Sequence, residues 1–201
     1  MVTFTLPAQF RALAWQHQRV MYDLITRSAW ETVNTFSQND RRLRGTTGAV
    51  TVLHTHSRRL DYHPHVHLVM PAAAFDNKRR RWRNKNGGYL FDHKALAKVF
   101  RAKMLCGIKQ AGLKLPDAYP ADWVVDCKAV GTGQKALVYL GRYLYRGVIQ
   151  EKDILSHDNG RVMFRYRNSE TKRFEKRTLS GVAFLHLIPA THPAQGVPLR
   201  P

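Results

Sequence analysis

Two segments rich in β-branched and aliphatic residues, Ala49–His56 and His63–Met70, are separated only by Ser57–Tyr62. A link that short cannot hold a helical crossover, so the two are restricted to an antiparallel hairpin. That hairpin is dense in histidine. Side chains alternate faces along a strand, which puts His65 and His67 on one side and Val66 and Leu68 on the other. Pro64 lacks an N–H and suits the strand's entrance. Pairing about a centre near Arg59 brings His54 opposite or diagonal to His65 and His67. Two neutral imidazoles side by side make part of a metal site. A third would complete three ligands and leave positions for water or substrate, as catalytic metal sites require. His54 is favoured for that place over His56, which shares its face, and His63 comes last because it precedes Pro64. Without a metal, the same histidines would be hydrogen-bonded polar residues on a strand.

The rest of the chain supplies helices to cover such a sheet. Val2–Leu6 reads as a strand closed by Pro7, and Leu13, Val20, Leu24, Ala29, Val33 and Phe36 recur at helical spacing from Ala8 to Phe36. Trp15, Tyr22 and Trp30 on that helix read as core or core edge. Asn39–Gly45 is a basic turn. Asp92 caps a second helix to about Gln110, with Leu96, Val99, Phe100, Met104 and Ile108 as its stripe. Trp123–Val130 is a further strand, and Gly131-Thr132-Gly133 a tight turn in which Thr132 caps a third helix, Gln134–Arg146. Two hairpin-like segments follow, Arg161–Tyr166 and Phe174–Leu179. The order strand, helix, strand, strand, helix, strand, helix predicts an α+β fold, an antiparallel sheet with helices packed on it.

Charge narrows the partner. Lys plus Arg total 33 against 14 Asp plus Glu, a formal net of +19 over 201 residues. A compact domain with that imbalance repels itself, and a polyanion relieves the repulsion. Nucleic acid is the expected partner. No apolar run approaches the roughly 18 residues of a membrane span, and no basic amphipathic helix suggests a membrane surface. Cys106 and Cys127 match no zinc or redox spacing, so a reducing, cytoplasmic setting is the simplest inference.

The densest basic run is Asp76–Asn86, followed by Gly87-Gly88, which predicts a mobile connection. Lys78, Arg79, Arg80, Arg81 and Arg83 would meet DNA phosphates, with Trp82 able to stack on an unpaired base. The third helix carries Tyr139 and Tyr143, four apart and hence on one helical face with neighbouring hydroxyls. Gly141 within it costs about 1 kcal/mol relative to Ala, which points to close packing there. A phenol with a pKa near 10 is a poor nucleophile at neutral pH, but a divalent cation on the phosphate it attacks would offset that. Histidine pair and tyrosine pair together suit cleavage of single-stranded DNA with covalent capture on tyrosine.

These residues resemble a family. His65-Val66-His67, with Leu53-His54-Thr55 upstream and Tyr139-Leu140-Gly141-Arg142-Tyr143 downstream, is similar to the two-tyrosine rolling-circle transposases of the HUH superfamily, the group named after insertion sequence ninety-one. The likeness runs from Phe4–Pro7 through Trp123–Lys128 and Tyr143–Gly147 into Gly160–Arg165. It implies an RRM-like sheet, the HUH endonuclease fold, over residues 1–187, with Mg²⁺ or Mn²⁺ at the histidines. Tyr139 or Tyr143 would form a 5′-phosphotyrosine and free a 3′-OH, and the second tyrosine would allow two strand transfers in sequence. Lys128 and Arg142, inside the matching motifs, are further candidate DNA contacts. The implied partners are single-stranded element ends and target DNA in a bacterial cytoplasm. An HUH replication initiator or relaxase, or a non-catalytic single-strand-binding domain, would share many of these features. The cysteine-rich zinc-binding region common in the family is not found, and residues 188–201, rich in proline, replace the family's basic end. The expectation is a disordered tail on a truncated product.

Overall fold

The computed structural model describes residues 1–87, 90–131, 133–135, 138, 141, 149–168 and 171–190, with side chains as far as 187. The chain divides into two compact units, Met1–His54 with His63–Leu137, and Thr55–Tyr62 with Val138–Pro201. Both are α+β in character, with antiparallel strand pairs and helices.

The first unit is organised by a four-stranded sheet in the order β2 (Val50–His56), β3 (Tyr62–Val69), β1 (Val2–Thr5), β6 (Val125–Cys127). β1 runs antiparallel to both neighbours, with Phe4 opposite Val66 and Val125, and Thr3 opposite His67 and Asp126. Period-two alternation therefore sorts the sheet cleanly. Val2, Phe4, Val66 and Leu68 face inward without exposed surface, while Thr3, Thr5, His65 and His67 share the opposite face. The inner face packs on aromatics: Phe4 lies 4.8 Å from Phe100, and Trp123 sits edge-on to Phe100 and Phe10 at 5.6 and 5.1 Å.

Helices α1 (Arg11–Gln16), α2 (Gln18–Asn39) and α3 (His93–Gln110) complete this unit. Asp92 caps α3, its carboxylate accepting from the Ala95 N–H at 2.7 Å, as the sequence predicts. At Gly107 a Cβ would lie 2.5 Å from Leu24 Cδ2, so the glycine allows α2 and α3 their close approach. The single helix expected over 8–36 is instead broken at His17 (φ −125°, ψ 49°) and runs on to Asn39. The break changes the helical phase. Trp15 stands 48% exposed and Val20 faces solvent, while the buried stripe is Met21, Leu24, Ile25, Ser28, Ala29, Thr32 and Val33. Thr32 enters that stripe by donating its hydroxyl to the Ser28 carbonyl at 2.7 Å.

The segment expected to be a mobile connection is in large part regular. β4 (Ala73–Asp76) and β5 (Arg81–Asn84) form a hairpin, with Phe75 opposite Trp82. Thr46 and Phe75 exchange both backbone hydrogen bonds at 2.9 and 2.8 Å, tying the hairpin to the turn after α2. Gly45 makes that approach possible, since a Cβ there would meet the Phe75 carbonyl oxygen at 2.6 Å. The strand expected over Trp123–Val130 shortens to β6, with single backbone contacts continuing the pairing at Thr5–Val124 and Met1–Lys128.

The second unit holds a three-stranded sheet, β7 (Ile154–Asp158), β8 (Arg161–Arg167) and β9 (Phe174–Ser180), followed by helix α4 (Gly181–Ala190). β7 joins β8 through Asn159 and Gly160, both at positive φ (51° and 68°), as a two-residue hairpin of the primed type requires. Phe164, Phe184 and Leu60 form its core. Leu60 reaches it from the Ser57–Asp61 turn, where the Ser57 N–H donates to the Asp61 carbonyl at 2.9 Å. Arg177 secures that turn from β9 by donating to the Arg59 carbonyl and, at 3.0 Å, to Asp61.

Candidate metal centre and nucleic-acid surfaces

β2 and β3 are sheet neighbours, and their histidines meet on one face. The ring of His54 lies 5.1 Å from His65 and 4.7 Å from His67, and His65 lies 5.0 Å from His67. One ring nitrogen from each falls within 4.8 Å of the other two, a spacing that a shared ion would draw in. Of the two candidates for the third place, His54 is the one brought in. His56 is buried against Tyr62 at 5.4 Å with its Nδ1 on the Thr55 hydroxyl, and its Nε2 is buried without a hydrogen-bond partner.

Hydrogen bonds fix how these rings face. The His63 carbonyl can only accept, so His65 Nδ1 (2.7 Å away) carries the proton, leaving the Nε2 lone pair as the ligand. His67 Nδ1 pairs with the Thr3 hydroxyl at 3.0 Å, which anchors the ring at that nitrogen. His63 is held differently. The Arg11 guanidinium, always a donor, lies 2.7 Å from its Nδ1, so that nitrogen must accept. Sequence reasoning gave no part to Thr3 or Arg11, because each comes from an element distant in the chain.

Burial sets the charge state. It pushes His54 down to about 3, helped by His65 and His67, and His67 down to about 4, helped by His65. His65 is lowered as well by burial, against the opposing pull of its bond to the His63 carbonyl. The three imidazoles are therefore neutral at pH 7, the form in which imidazole binds metal. The donor set thus fits a divalent cation.

The predicted DNA contacts fall into distinct environments. Lys78, Arg79 and Arg80 occupy the exposed turn of the β4–β5 hairpin, and Arg81 and Trp82 the exposed start of β5. Trp82 is 64% exposed and braced edge-on by Phe75 at 5.5 Å, with Arg80 over the Phe75 ring at 5.9 Å. Arg83 is turned into the protein, donating to the carbonyls of Arg41 (2.6 Å) and Arg42 (3.0 Å) and pairing with Asp76 at 3.8 Å. Lys128 is paired with Asp126 at 2.6 Å on the sheet edge. Tyr139, Tyr143 and Arg142 lie outside the described residues.

Residues 48–197 match the family described as "Putative transposase" (Y2_Tnp). The chain belongs to that family. Among its relatives, "Putative transposase y4qJ" of Sinorhizobium fredii is 30% identical over 189 residues, covering 83% of this chain and 48% of that protein. The "Transposase for insertion sequence element IS801" of Pseudomonas savastanoi pv. phaseolicola is 29% identical over 197 residues, covering 89% and 47%. The chain thus spans about half the length of these curated relatives. A solved structure, the conjugative relaxase TrwC in complex with mutant oriT DNA, aligns with a TM-score of 0.43 at 18% identity over 94% of this chain and 71% of that one. Among the described residues of this transposase-family chain, no helix is long and apolar enough to cross a membrane.

Proposed function

We propose that this transposase-family chain cleaves and rejoins single-stranded DNA through a covalent tyrosine intermediate. The observation that carries the proposal is the convergence of three largely shielded imidazoles from two sheet strands within a sequence matching a transposase family. His54, His65 and His67 would hold Mg²⁺ or Mn²⁺, and an ion bound there would polarise the scissile phosphate and offset charge developing on it. The His63 carbonyl would keep His65 in the ligating tautomer, and the Thr3 hydroxyl would hold the His67 ring in place.

Tyr139 or Tyr143 supplies the nucleophile. Its phenol gives up a proton as the oxygen bonds to phosphorus. The P–O3′ bond breaks, and the departing oxygen takes up a proton to become a 3′-OH. The phosphodiester is thereby conserved as a 5′-phosphotyrosine, ready for rejoining by a second 3′-OH. Two tyrosines permit two such transfers in succession, one for an element end and one for its target. The exposed cations Lys78, Arg79, Arg80 and Arg81 contact the backbone, and Trp82 offers a stacking surface.

The test is covalent capture. With Mn²⁺ and labelled single-stranded DNA, the protein should form an adduct that survives boiling in detergent. Replacing both Tyr139 and Tyr143 with Phe should abolish the adduct and leave salt-sensitive binding intact. A double variant that still forms the adduct would refute the tyrosine assignment.

A further inference from the structure

The second unit carries a surface to which nothing above gives a role. In the β7–β8–β9 sheet, residues directly opposite one another share a face. Val162, Phe164 and Tyr166 of β8 pack with the core around Leu60 and Phe184. The intervening residues Arg161, Met163, Arg165 and Arg167 therefore point outward, together with their β9 partners Ser180, Thr178, Lys176 and Phe174. This outward face is strongly cationic and holds one large aromatic. Phe174 is 66% exposed, stands directly opposite Arg167, and has the Arg165 guanidinium 5.4 Å from its ring centroid. Among the described residues, Arg165 alone on this face pairs with an acid, Asp153 at 3.0 Å. Arg167, itself exposed, gives its Nε–H to the Lys172 carbonyl at 3.0 Å. Arg165 and Lys176 are like charges set directly across the strands. A like-charge cross-strand pair weakens a sheet, and a polyanion laid over it removes the repulsion.

We propose that this outward face binds single-stranded DNA, with an unpaired base stacked on Phe174 and the flanking phosphates on Arg167 and Lys176. The proposal rests on DNA being the partner inferred above, and it adds a second contact surface on a separate unit. An exposed ring ringed by guanidinium and ammonium groups meets both requirements of single-strand recognition, a π-face for the base and cations for the backbone. Duplex DNA, whose bases are already stacked, would use the cations but not the ring.

The test is binding of the whole chain to fluorescein-labelled oligothymidylate, read by anisotropy across a salt series in EDTA. Phe174→Leu should weaken binding about tenfold, and Phe174→Trp should restore it. Arg167→Gln with Lys176→Gln should reduce the slope of log affinity against log salt by about 1.4, two phosphate contacts' worth for a single strand. All these side chains are exposed, and matching thermal midpoints would confirm that the variants fold. Unchanged affinity and slope would overturn the proposal, as would duplex binding tighter than single-strand binding that Phe174→Leu leaves untouched. Covalent capture with Mn²⁺ separates this proposal from the cleavage reading. A chain that forms the adduct while its sheet variants bind as wild type refutes only the surface. One whose sheet variants lose binding, but which never forms an adduct, supports the surface and refutes only the cleavage.

Discussion

Imidazole holds a metal ion through one lone pair, and the bond made by its other nitrogen decides which pair is offered. At His67 that bond goes to Thr3, 64 positions away in the sequence. Thr3→Val keeps the shape and removes the hydroxyl. It should weaken Mn²⁺ binding about tenfold by calorimetry, the lower end of what loss of such a support costs. Equal affinity in the variant would show that the hydroxyl does not orient the ring. The convergence of His54, His65 and His67 was legible because two constraints, alternation and a short turn, left few registers. His56 obeys the same alternation as His54, yet it is packed against Tyr62 and Thr55. Period two assigns a face; which rings converge there depends on the packing around each. Thr3 and Arg11 carried no local signal because their partners are brought to them by the sheet.

At the scale of elements, composition hid two structures. The basic run around Arg81–Asn84 masks a strand whose partner, Ala73–Asp76, supplies the apolar side chains of the hairpin. Dense charge on a short outer strand also discourages pairing with other chains. The Asn159-Gly160 pair was a readable hairpin signal, and β7 before it was overlooked because its residues, Ile154-Leu155-Ser156-His157-Asp158, lack strict alternation around a bulge. In the first turns of α2, apolar spacing places Val20 on the core side, whereas the break at His17 shifts the phase and leaves it exposed; further on, the same spacing cannot register buried Ser28 and Thr32.

The end of α2 carries a pH dependence. Asp40 accepts from the backbone N–H groups of Arg42 (2.8 Å) and Leu43 (3.2 Å) and pairs with Lys85, which also donates to the Leu90 carbonyl at 2.5 Å. Burial alone would raise the carboxyl, but the Lys85 and backbone bonds outweigh it and hold Asp40 below its ordinary value of 3.8. A carboxyl depressed in the folded state adds stability above the unfolded value, and that stability is lost as pH falls toward the folded value. Urea unfolding should therefore separate wild type from Asp40→Asn at about pH 6, and the gap should narrow as pH falls below the ordinary carboxylate range. A gap that is the same at both pH values would show that the charge contributes nothing.

Across the whole molecule, a net charge of +19 is carried on both units, by the hairpin turn at 78–81 in one and the outward sheet face in the other. Charge alone points to a polyanion as partner, yet it does not separate exposed cations from those spent on the protein. Arg83, bonded to two carbonyls, belongs to the second kind. The order of strands has its own test. A peptide covering 48–70 contains all three candidate ligands, but it lacks β1, whose Thr3 orients His67. It should bind Mn²⁺ about tenfold more weakly than the full chain in a calorimetric titration. Comparable affinity would mean that the hairpin needs no support.

β1 precedes its sheet partners in the chain, yet it lies between β3 and β6, both of which follow much later. Met1 and Lys128, 127 positions apart, exchange backbone hydrogen bonds at its far edge. Contacts that distant close slowly and cannot form before both ends exist. The four-stranded sheet that carries the candidate ligands therefore stays unfinished until translation has passed Lys128, whatever order its other strands adopt.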